Sequence, residues 1–397
     1  MPKRLRIGIA GLGAASRQIL PHIARLPEME LAAAADIRPD ALAAFQARYQ
    51  GNAFSSVEAM CASDVVDAIW VATPNACHAE HTVIAAEHGK HVIVEKPMAV
   101  NLAEADRMIE AAARNRVKLV QGHSKIYGPA IRKIRDVICS GRLGPVIQID
   151  TWNFNDWLQR PRLASEVDTK IGGGVCYRQG PHQIDVVRYL GGGMVKSVRA
   201  ATGRADKNFI TEGDYTAFLE FENGVRATAV FNGYGFFDIA ELTWGIGEGG
   251  KRIAETGRSR PKDRLTGPVD PDSKYGNPRT TEERAVRERA DQSFFGLTVV
   301  ACERGVIRQS PAGIYVYTQG GREEISCAAD QGRSAELREL HEAIVQDRPA
   351  FPDGRWGKAT LEVCIAMLQS SNEHREMTLA HQTPSVEMRE PHEACNG

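Results

Sequence analysis

The chain has no Cys-x-x-Cys pair, no surplus of basic residues and no apolar run long enough to cross a bilayer. Each absence narrows what it can do. Its eight cysteines are scattered, which fits reduced thiols rather than a disulfide framework. Lys and Arg number 49 against 50 Asp and Glu, so neither nucleic acid nor a membrane surface is expected as a partner. The start, Met1-Pro2-Lys3-Arg4, runs straight into a strand-like segment without the apolar core of a signal peptide, and a cytoplasmic location is expected. The paired histidines His78/His81 and His88/His91 come with no obvious further ligand, so no metal is expected. There is no internal repeat and no low-complexity tract. What remains is 397 residues of ordinary globular composition, enough for two or three domains with an ample core.

The stretch Arg6-Ile7-Gly8-Ile9-Ala10-Gly11-Leu12-Gly13-Ala14-Ala15-Ser16 organises the rest. A short apolar run breaks into closely spaced glycines and continues into a helical pattern, the context that a dinucleotide-binding turn requires. Gly11 permits the tight turn and Gly13 lets the backbone approach a pyrophosphate. The following helix offers free N–H groups and the positive end of its dipole. Ser16 stands where a third glycine is usual; it is small enough for close packing, and its hydroxyl is positioned in sequence to bond a phosphate oxygen. A second apolar run, Leu31–Ala35, ends in Asp36, about where an acid that bonds ribose hydroxyls belongs. A carboxylate there repels a 2′-phosphate and favours NAD over NADP, although Arg38 two residues on is a rival signal for the phosphate.

Residues 1–123 alternate apolar strands with amphipathic helices, which implies a doubly wound parallel sheet covered on both faces. Residues 124–379 change character. Helices at Ala130–Ser140 and Gly180–Leu190 accompany strand-like runs at Gly144–Thr151, Val195–Thr202, Tyr215–Phe221, Arg226–Asn232 and Ile239–Gly245. Further strands are expected at Phe295–Cys302, Gly305–Gln309, Ile314–Thr318 and Glu323–Ser326, and closing helices at Ala335–Gln346 and Gly357–His374. The pattern is that of an α+β domain on a largely antiparallel open sheet. Residues 248–292 read as a polar excursion, and 380–397 as a tail without core pattern. A sheet with one face bare of helices is expected to associate with another copy, giving a homo-oligomer.

Ligands of an open α/β sheet bind beyond the carboxyl ends of its strands. Three expected strands end suggestively, at Thr73-Pro74-Asn75 with His78, at Glu95-Lys96-Pro97 and at Gln121-Gly122-His123. A lysine directly after an apolar strand, as Lys96 is, falls in a crevice suited to contact with a substrate oxygen, or else snorkels to solvent. In Gly180-Pro181-His182-Gln183-Ile184-Asp185 the Gly-Pro pair starts a helix, with His182 in its first turn and Asp185 one turn on. That spacing suits proton transfer, and equally a histidine that merely caps the helix.

Taken in order, the glycine turn, the acid after the second strand, Thr-Pro-Asn-x-x-His, Glu-Lys-Pro and a triple glycine leading to Gly-x-His-x-x-Asp resemble the Gfo/Idh/MocA oxidoreductases, from about residue 5 to about 375. The resemblance implies a Rossmann domain for NAD and a second domain that holds a small-molecule substrate. Lys96 is then the substrate-oxygen contact and His182 the acid/base, with Asp185 in support. The implied cofactor set is Gly11, Leu12, Gly13, Ala14, Ala15, Asp36, Arg38, Thr73, Pro74, Asn75, His78 and Glu95.

One position departs from the family's sugar and inositol dehydrogenases, many of which carry an aspartate four residues before the histidine. Here it is Arg178. Arginine can grip a substrate carboxylate in bidentate fashion, or pair with Asp185 or Glu166 for structure. With Glu303–Pro311, this variant resembles a smaller branch that oxidises carboxylated cyclohexadiene cis-diols. The expected substrate is therefore a carboxylated cis-dihydrodiol. A sugar or cyclitol is the alternative within the family, and a non-catalytic NAD(H)-binding regulator the alternative outside catalysis.

Overall fold

The computed structural model describes residues 4–250, 252, 265–271, 274, 291–328 and 333–385. Most of the expected 248–292 excursion and the end of the tail lie outside the described residues. The chain forms two compact units, which divide first between His123 and Ser124.

The first unit is a six-stranded parallel sheet in the order β3-β2-β1-β4-β5-β6. Its strands are β1 (Leu5–Ala10), β2 (Met29–Ala35), β3 (Asn52–Phe54), β4 (Ala68–Val71), β5 (His91–Glu95) and β6 (Leu119–Gly122). Its helices are α1 (Ser16–Ile23), α2 (Pro39–Tyr49), α3 (Val57–Ala62), α4 (His78–Glu87) and α5 (Leu102–Arg114). Strands buried on both faces must be apolar nearly throughout, and Ile7, Ile9, Trp70, Ile93 and Val120 form the core with Ile19 and Ile23 of α1. Caps set where the helices start. The Ser56 hydroxyl accepts the Ala59 N–H, and the Asn101 side-chain Oδ1 accepts the Glu104 N–H at 2.9 Å. The strand order reverses at β1, between β2 and β4, which puts the crevice of a doubly wound sheet beside Gly11.

The second unit is a nine-stranded mixed sheet in the order β14-β13-β12-β11-β7-β10-β9-β8-β15. Its strands are β7 (Val146–Phe154), β8 (Val195–Gly203), β9 (Asp214–Phe221), β10 (Arg226–Asn232), β11 (Leu297–Cys302), β12 (Gly305–Gln309), β13 (Gly313–Thr318), β14 (Gly321–Ser326) and β15 (Met377–Thr378). Among the described residues of this sheet, only β7 and β10 pair in parallel. Helices α6 (Pro129–Cys139), α7 (Gly174–Arg178) and α8 (Gly180–Gly191) belong to this unit, and α6 and α8 pack on the sheet. Burial alternates along β9, β10 and β11, with Ala217, Leu219, Ala229, Phe231 and Val300 on the covered face. Thr216 and Phe218 point the other way and are exposed.

The structure corrects the expected organisation in four places. Ile239–Gly245 is no strand: the Asp238 carboxylate accepts the Ala240 N–H at 3.0 Å and starts a 3₁₀ turn over Ile239–Leu242. Helix α7 precedes α8 at a place where no element is expected. The second domain is not contiguous, because residues 333–361 return to the first unit. There α9 (Ser334–Val345) sets Leu337, Leu340 and Ala343 into the core beside α1, and its Ser334 hydroxyl bonds His22 Nδ1 at 2.8 Å. The last long helix, α10 (Gly354–Glu373), fixes the start of the tail: the Glu362 carboxylate accepts the N–H groups of Ala380 and His381. Arg188 donates to Gln382 Oε1 at 3.0 Å, so residues 380–385 are docked.

Candidate active site

In the first unit the glycine turn is built as the sequence implies, with one difference. Gly11 has φ +91°, and a Cβ there would lie 2.9 Å from the Ala72 carbonyl oxygen, so the end of β4 leaves room for glycine alone. A Cβ on Gly13 would meet nothing within 4 Å. The fold therefore demands glycine at 11 but not at 13, where close approach of a pyrophosphate is the remaining reason for it. Among the described residues no acceptor takes the N–H of Ala14 or Ala15, as an anion site ahead of α1 requires. The difference is Ser16. It is fully buried and its hydroxyl donates to the Gly13 carbonyl at 2.8 Å, so it locks the turn from inside instead of reaching a phosphate.

Asp36 stands at the tip of β2. Its carboxylate accepts the Leu12 N–H at 2.7 Å and the Arg38 N–H at 2.9 Å, and Arg38 Nη2 donates to the Leu12 carbonyl at 2.9 Å. The acid and the arginine that the sequence set against each other are thus one clasp on the glycine turn.

The other strand ends separate into contacts and supports. His78 is buried, with Nδ1 2.8 Å from the Pro97 carbonyl oxygen and Nε2 2.9 Å from that of Thr73. It ties the Thr-Pro-Asn turn to the Glu-Lys-Pro turn. The Thr73 hydroxyl is engaged by His81 Nδ1 at 3.0 Å, and burial lowers the His81 pKa. Asn75 is buried, whereas Pro74 is exposed. Glu95 is buried and ion-paired with Arg333, which also lies 3.1 Å from Glu336. Its carboxylate holds the start of α9 through Arg333. Lys96 follows on the same strand end, half-buried.

In the second unit, α7 and α8 are nearly one helix. The Gln179 N–H reaches the Val175 carbonyl at 2.8 Å and the His182 N–H reaches that of Gln179 at 3.1 Å, while Pro181 has no N–H to give. Arg178 and His182, four apart, therefore share one face at about one helical turn. The Arg178 guanidinium donates to Glu166 Oε1 at 2.8 Å. Asp185 is fully buried; burial pushes the Cys364 thiol pKa up, with Arg188 lowering it and the charge of Asp185 adding a smaller rise. It lies in the middle of α8, one turn beyond His182.

His182 borders a cavity that also takes in Lys125, Gln183, Thr151, Phe295 and Gln309. The Phe295 ring stands 4.8 Å from the His182 ring, and Lys125 Nζ lies 5.1 Å from the same Phe295 centroid. Gln183 sits beneath, its amide donating to the Thr151 hydroxyl at 3.0 Å and accepting from the Tyr215 hydroxyl at 2.5 Å. Sequence reasoning missed Lys125 and Phe295. Lys125 follows the end of β6 much as Lys96 follows β5, which was a usable signal, whereas Phe295 comes from beyond the excursion and gave none.

Among the described residues no group of three His, Cys, Asp or Glu side chains could hold a metal ion, and no helix is long and apolar enough to cross a membrane.

Comparison with known proteins meets this geometry at both ends. Residues 5–123 match the model of the oxidoreductase family with an NAD-binding Rossmann fold, and residues 131–235 match the GFO/IDH/MocA C-terminal domain. The 1-carboxy-3-chloro-3,4-dihydroxycyclohexa-1,5-diene dehydrogenase of Comamonas testosteroni is 35% identical over 92% of this chain and 94% of its own. A solved structure from Bordetella bronchiseptica RB50 superposes with TM-score 0.87 at 36% identity, covering 95% of this chain and all of that one. The WlbA dehydrogenase of Bordetella pertussis, solved with NADH and UDP-GlcNAcA, shares the fold at TM-score 0.71 and 21% identity, over 95% of this chain and 99% of its own. The glycine turn with its unhindered Gly13, the Asp36 clasp and the extent of these matches lead to one assignment: the chain is an NAD-binding dehydrogenase of the Gfo/Idh/MocA oxidoreductase family.

Proposed function

We propose that the chain oxidises a carboxylated cis-dihydrodiol of a cyclohexadiene toward a catechol, in the breakdown of aromatic compounds. One observation carries the reading: Arg178, a fixed cation, shares a helix face with His182 at a spacing of four. Neutral sugars and cyclitols have no use for a cation there, whereas a carboxylate does. The name of the Comamonas relative, a carboxylated diol dehydrogenase, supports the same substrate class.

In this reading His182 takes the proton of the reacting hydroxyl, and Lys96 donates a hydrogen bond to that oxygen. NAD+, when bound, accepts the hydride from the carbinol carbon. The resulting ketone tautomerises to a catechol, and aromatisation makes the oxidation one-way. The Asp36 carboxylate favours NAD+ over NADP+.

The ion pair of Arg178 with Glu166 favours a second reading, in which the arginine serves structure and the substrate is a neutral sugar or cyclitol. NADH formation with a panel of carboxylated diols, neutral diols, sugars and inositols separates the two. Turnover confined to carboxylated diols supports the first; equal turnover of neutral diols or inositols overturns it.

Self-association through the bare face of the second sheet belongs to the same proposal. Trp152 and Phe218 are 47% and 41% exposed there, apolar surface that a second copy would cover.

A further inference from the structure

The covered face of the second sheet changes character at the cavity that His182 borders. One cross-strand row there is apolar: Ile149, Val300 and Ile307 stand side by side on β7, β11 and β12. The next row on the same face is polar. Thr298 pairs with Thr151, and Val299 pairs with Arg308, so Gln309, next along β12, comes beside Thr298. All three are buried, and all three line the cavity. A buried polar row in an apolar layer costs stability unless each group finds a partner.

Only one end of the row is served by the protein. The Thr151 hydroxyl accepts from the amide of Gln183, the residue after His182, at 3.0 Å. The Ser293 carbonyl takes an N–H of Gln309 Nε2 at 3.1 Å, and that bond fixes which end of the amide is oxygen. Among the described residues no donor reaches Gln309 Oε1 and no partner reaches the Thr298 hydroxyl. Gln292, also buried in the lining, is built in the same way. Its Nε2 donates to the Ala328 carbonyl at 2.9 Å, and among the described residues its Oε1 takes no bond. The open positions are therefore two amide oxygens and one hydroxyl. Amide oxygens repel a carboxylate, whereas an alcohol can donate to an amide oxygen and accept from Thr298. Phe295, whose ring stands 4.8 Å from that of His182, gives the same cavity an apolar wall.

We propose that Thr298 and Gln309 bind the substrate hydroxyl next to the one that reacts at His182, and so make this dehydrogenase specific for vicinal diols. The inference rests on oxidation of a carbinol at His182. It is common to the carboxylated-diol and cyclitol readings, because both place a second hydroxyl on the neighbouring carbon. That hydroxyl donates to Gln309 Oε1 and accepts from Thr298 Oγ1. A mono-alcohol leaves both groups buried and unpaired, which is how a polar site rejects an analogue that lacks the hydroxyl.

The test measures kcat/KM of the full chain with NAD+ for two pairs of compounds. One pair is cis-3,4-dihydroxycyclohexanecarboxylate and 4-hydroxycyclohexanecarboxylate; the other is cis-1,2-cyclohexanediol and cyclohexanol. In whichever pair is oxidised, the diol should be preferred by about 10² or more. Thr298→Val removes the hydroxyl at nearly constant shape, and Gln309→Leu removes the amide. Each should cut the preference by about tenfold, mainly through a higher KM for the diol. If Gln309→Leu fails to fold, Thr298→Val decides. A wild type without preference for the diol, or an undiminished preference in folded Thr298→Val, means that the row holds water only and overturns the proposal. Which pair is oxidised bears on the carboxylate and leaves the row untouched. A wild type that oxidises neither diol overturns the carbinol reading at His182, and the row with it.

Discussion

Arg38 lies across the carboxylate of Asp36: its Nε is 3.2 Å from Oδ1, the same oxygen that accepts its own backbone N–H at 2.9 Å. The pair neutralises a cation that would otherwise invite a 2′-phosphate. Asp36→Ala should release the guanidinium, and the ratio of kcat/KM for NADP+ over NAD+ should rise by about tenfold or more. Arg38→Ala should leave the preference for NAD+ in place. A ratio that does not move in Asp36→Ala would show that this carboxylate does not govern the ribose end.

The two glycines of the turn should fail in different ways. Gly11→Ala forces a Cβ against the Ala72 carbonyl at positive φ and should cost roughly 1–3 kcal/mol of stability, read as a lower Tm without cofactor. Gly13→Ala meets no protein atom within 4 Å, so its Tm should stay near wild type while NAD+ binding weakens. Equal NAD+ affinity in Gly13→Ala would remove the pyrophosphate from that position.

For the reacting groups, His182→Ala and Lys96→Ala should each lower kcat by roughly 10² or more, with NAD+ affinity by titration nearly unchanged. Near-normal turnover in either variant would assign that residue a structural role only.

Acid should loosen the protein through two half-buried histidines. Burial is the main cause that lowers the pKa of both His81 and His91 below the ordinary 6.5. The unfolded chain then binds their protons more readily than the folded one. Their contribution is full above the unfolded pKa and is lost as pH falls through the folded values. Tm should therefore drop below about pH 6.5, and His91→Gln should flatten that limb. An acid limb of wild-type steepness in the variant would place the titration elsewhere.

On the bare sheet face, Phe218→Arg should split the oligomer without loss of secondary structure, read by light scattering and circular dichroism. A wild type that is already monomeric at micromolar concentration would end this expectation.

What the sequence disclosed was what neighbours in sequence determine. Gly11, Asp36 and the turn at Lys96 are legible because a strand, its turn and the next helix lie within a few residues of each other. The limits are as physical. Leu337 and Leu340 announce a helix by their spacing, but nothing local says which sheet they cover. Ile239 and its neighbours have strand-like composition, yet the Asp238 cap at 3.0 Å decides for a 3₁₀ turn. At the candidate site, Glu166 reaches Arg178 across 12 residues, and Phe295 meets His182 from a segment 113 residues away. The chemistry of Ser16 suits a phosphate, but its position at the inner side of the turn gives the hydroxyl the Gly13 carbonyl as partner.

The return of residues 333–361 to the first unit bears on how the protein is made. A ribosome delivers residues 1–123 well before α9, so the nucleotide-binding sheet emerges with the places of Leu337, Leu340 and Ala343 unfilled and Glu95 without Arg333. Vectorial synthesis cannot finish the first half first; strands β7 to β14 of the second sheet must leave the exit tunnel before that core closes. A gene fragment ending at His123 would encode the cofactor motifs but not their completed scaffold. A module cut for grafting needs the 333–361 segment joined back to it, and the earlier the stop codon, the more apolar surface is left for chaperones to hold.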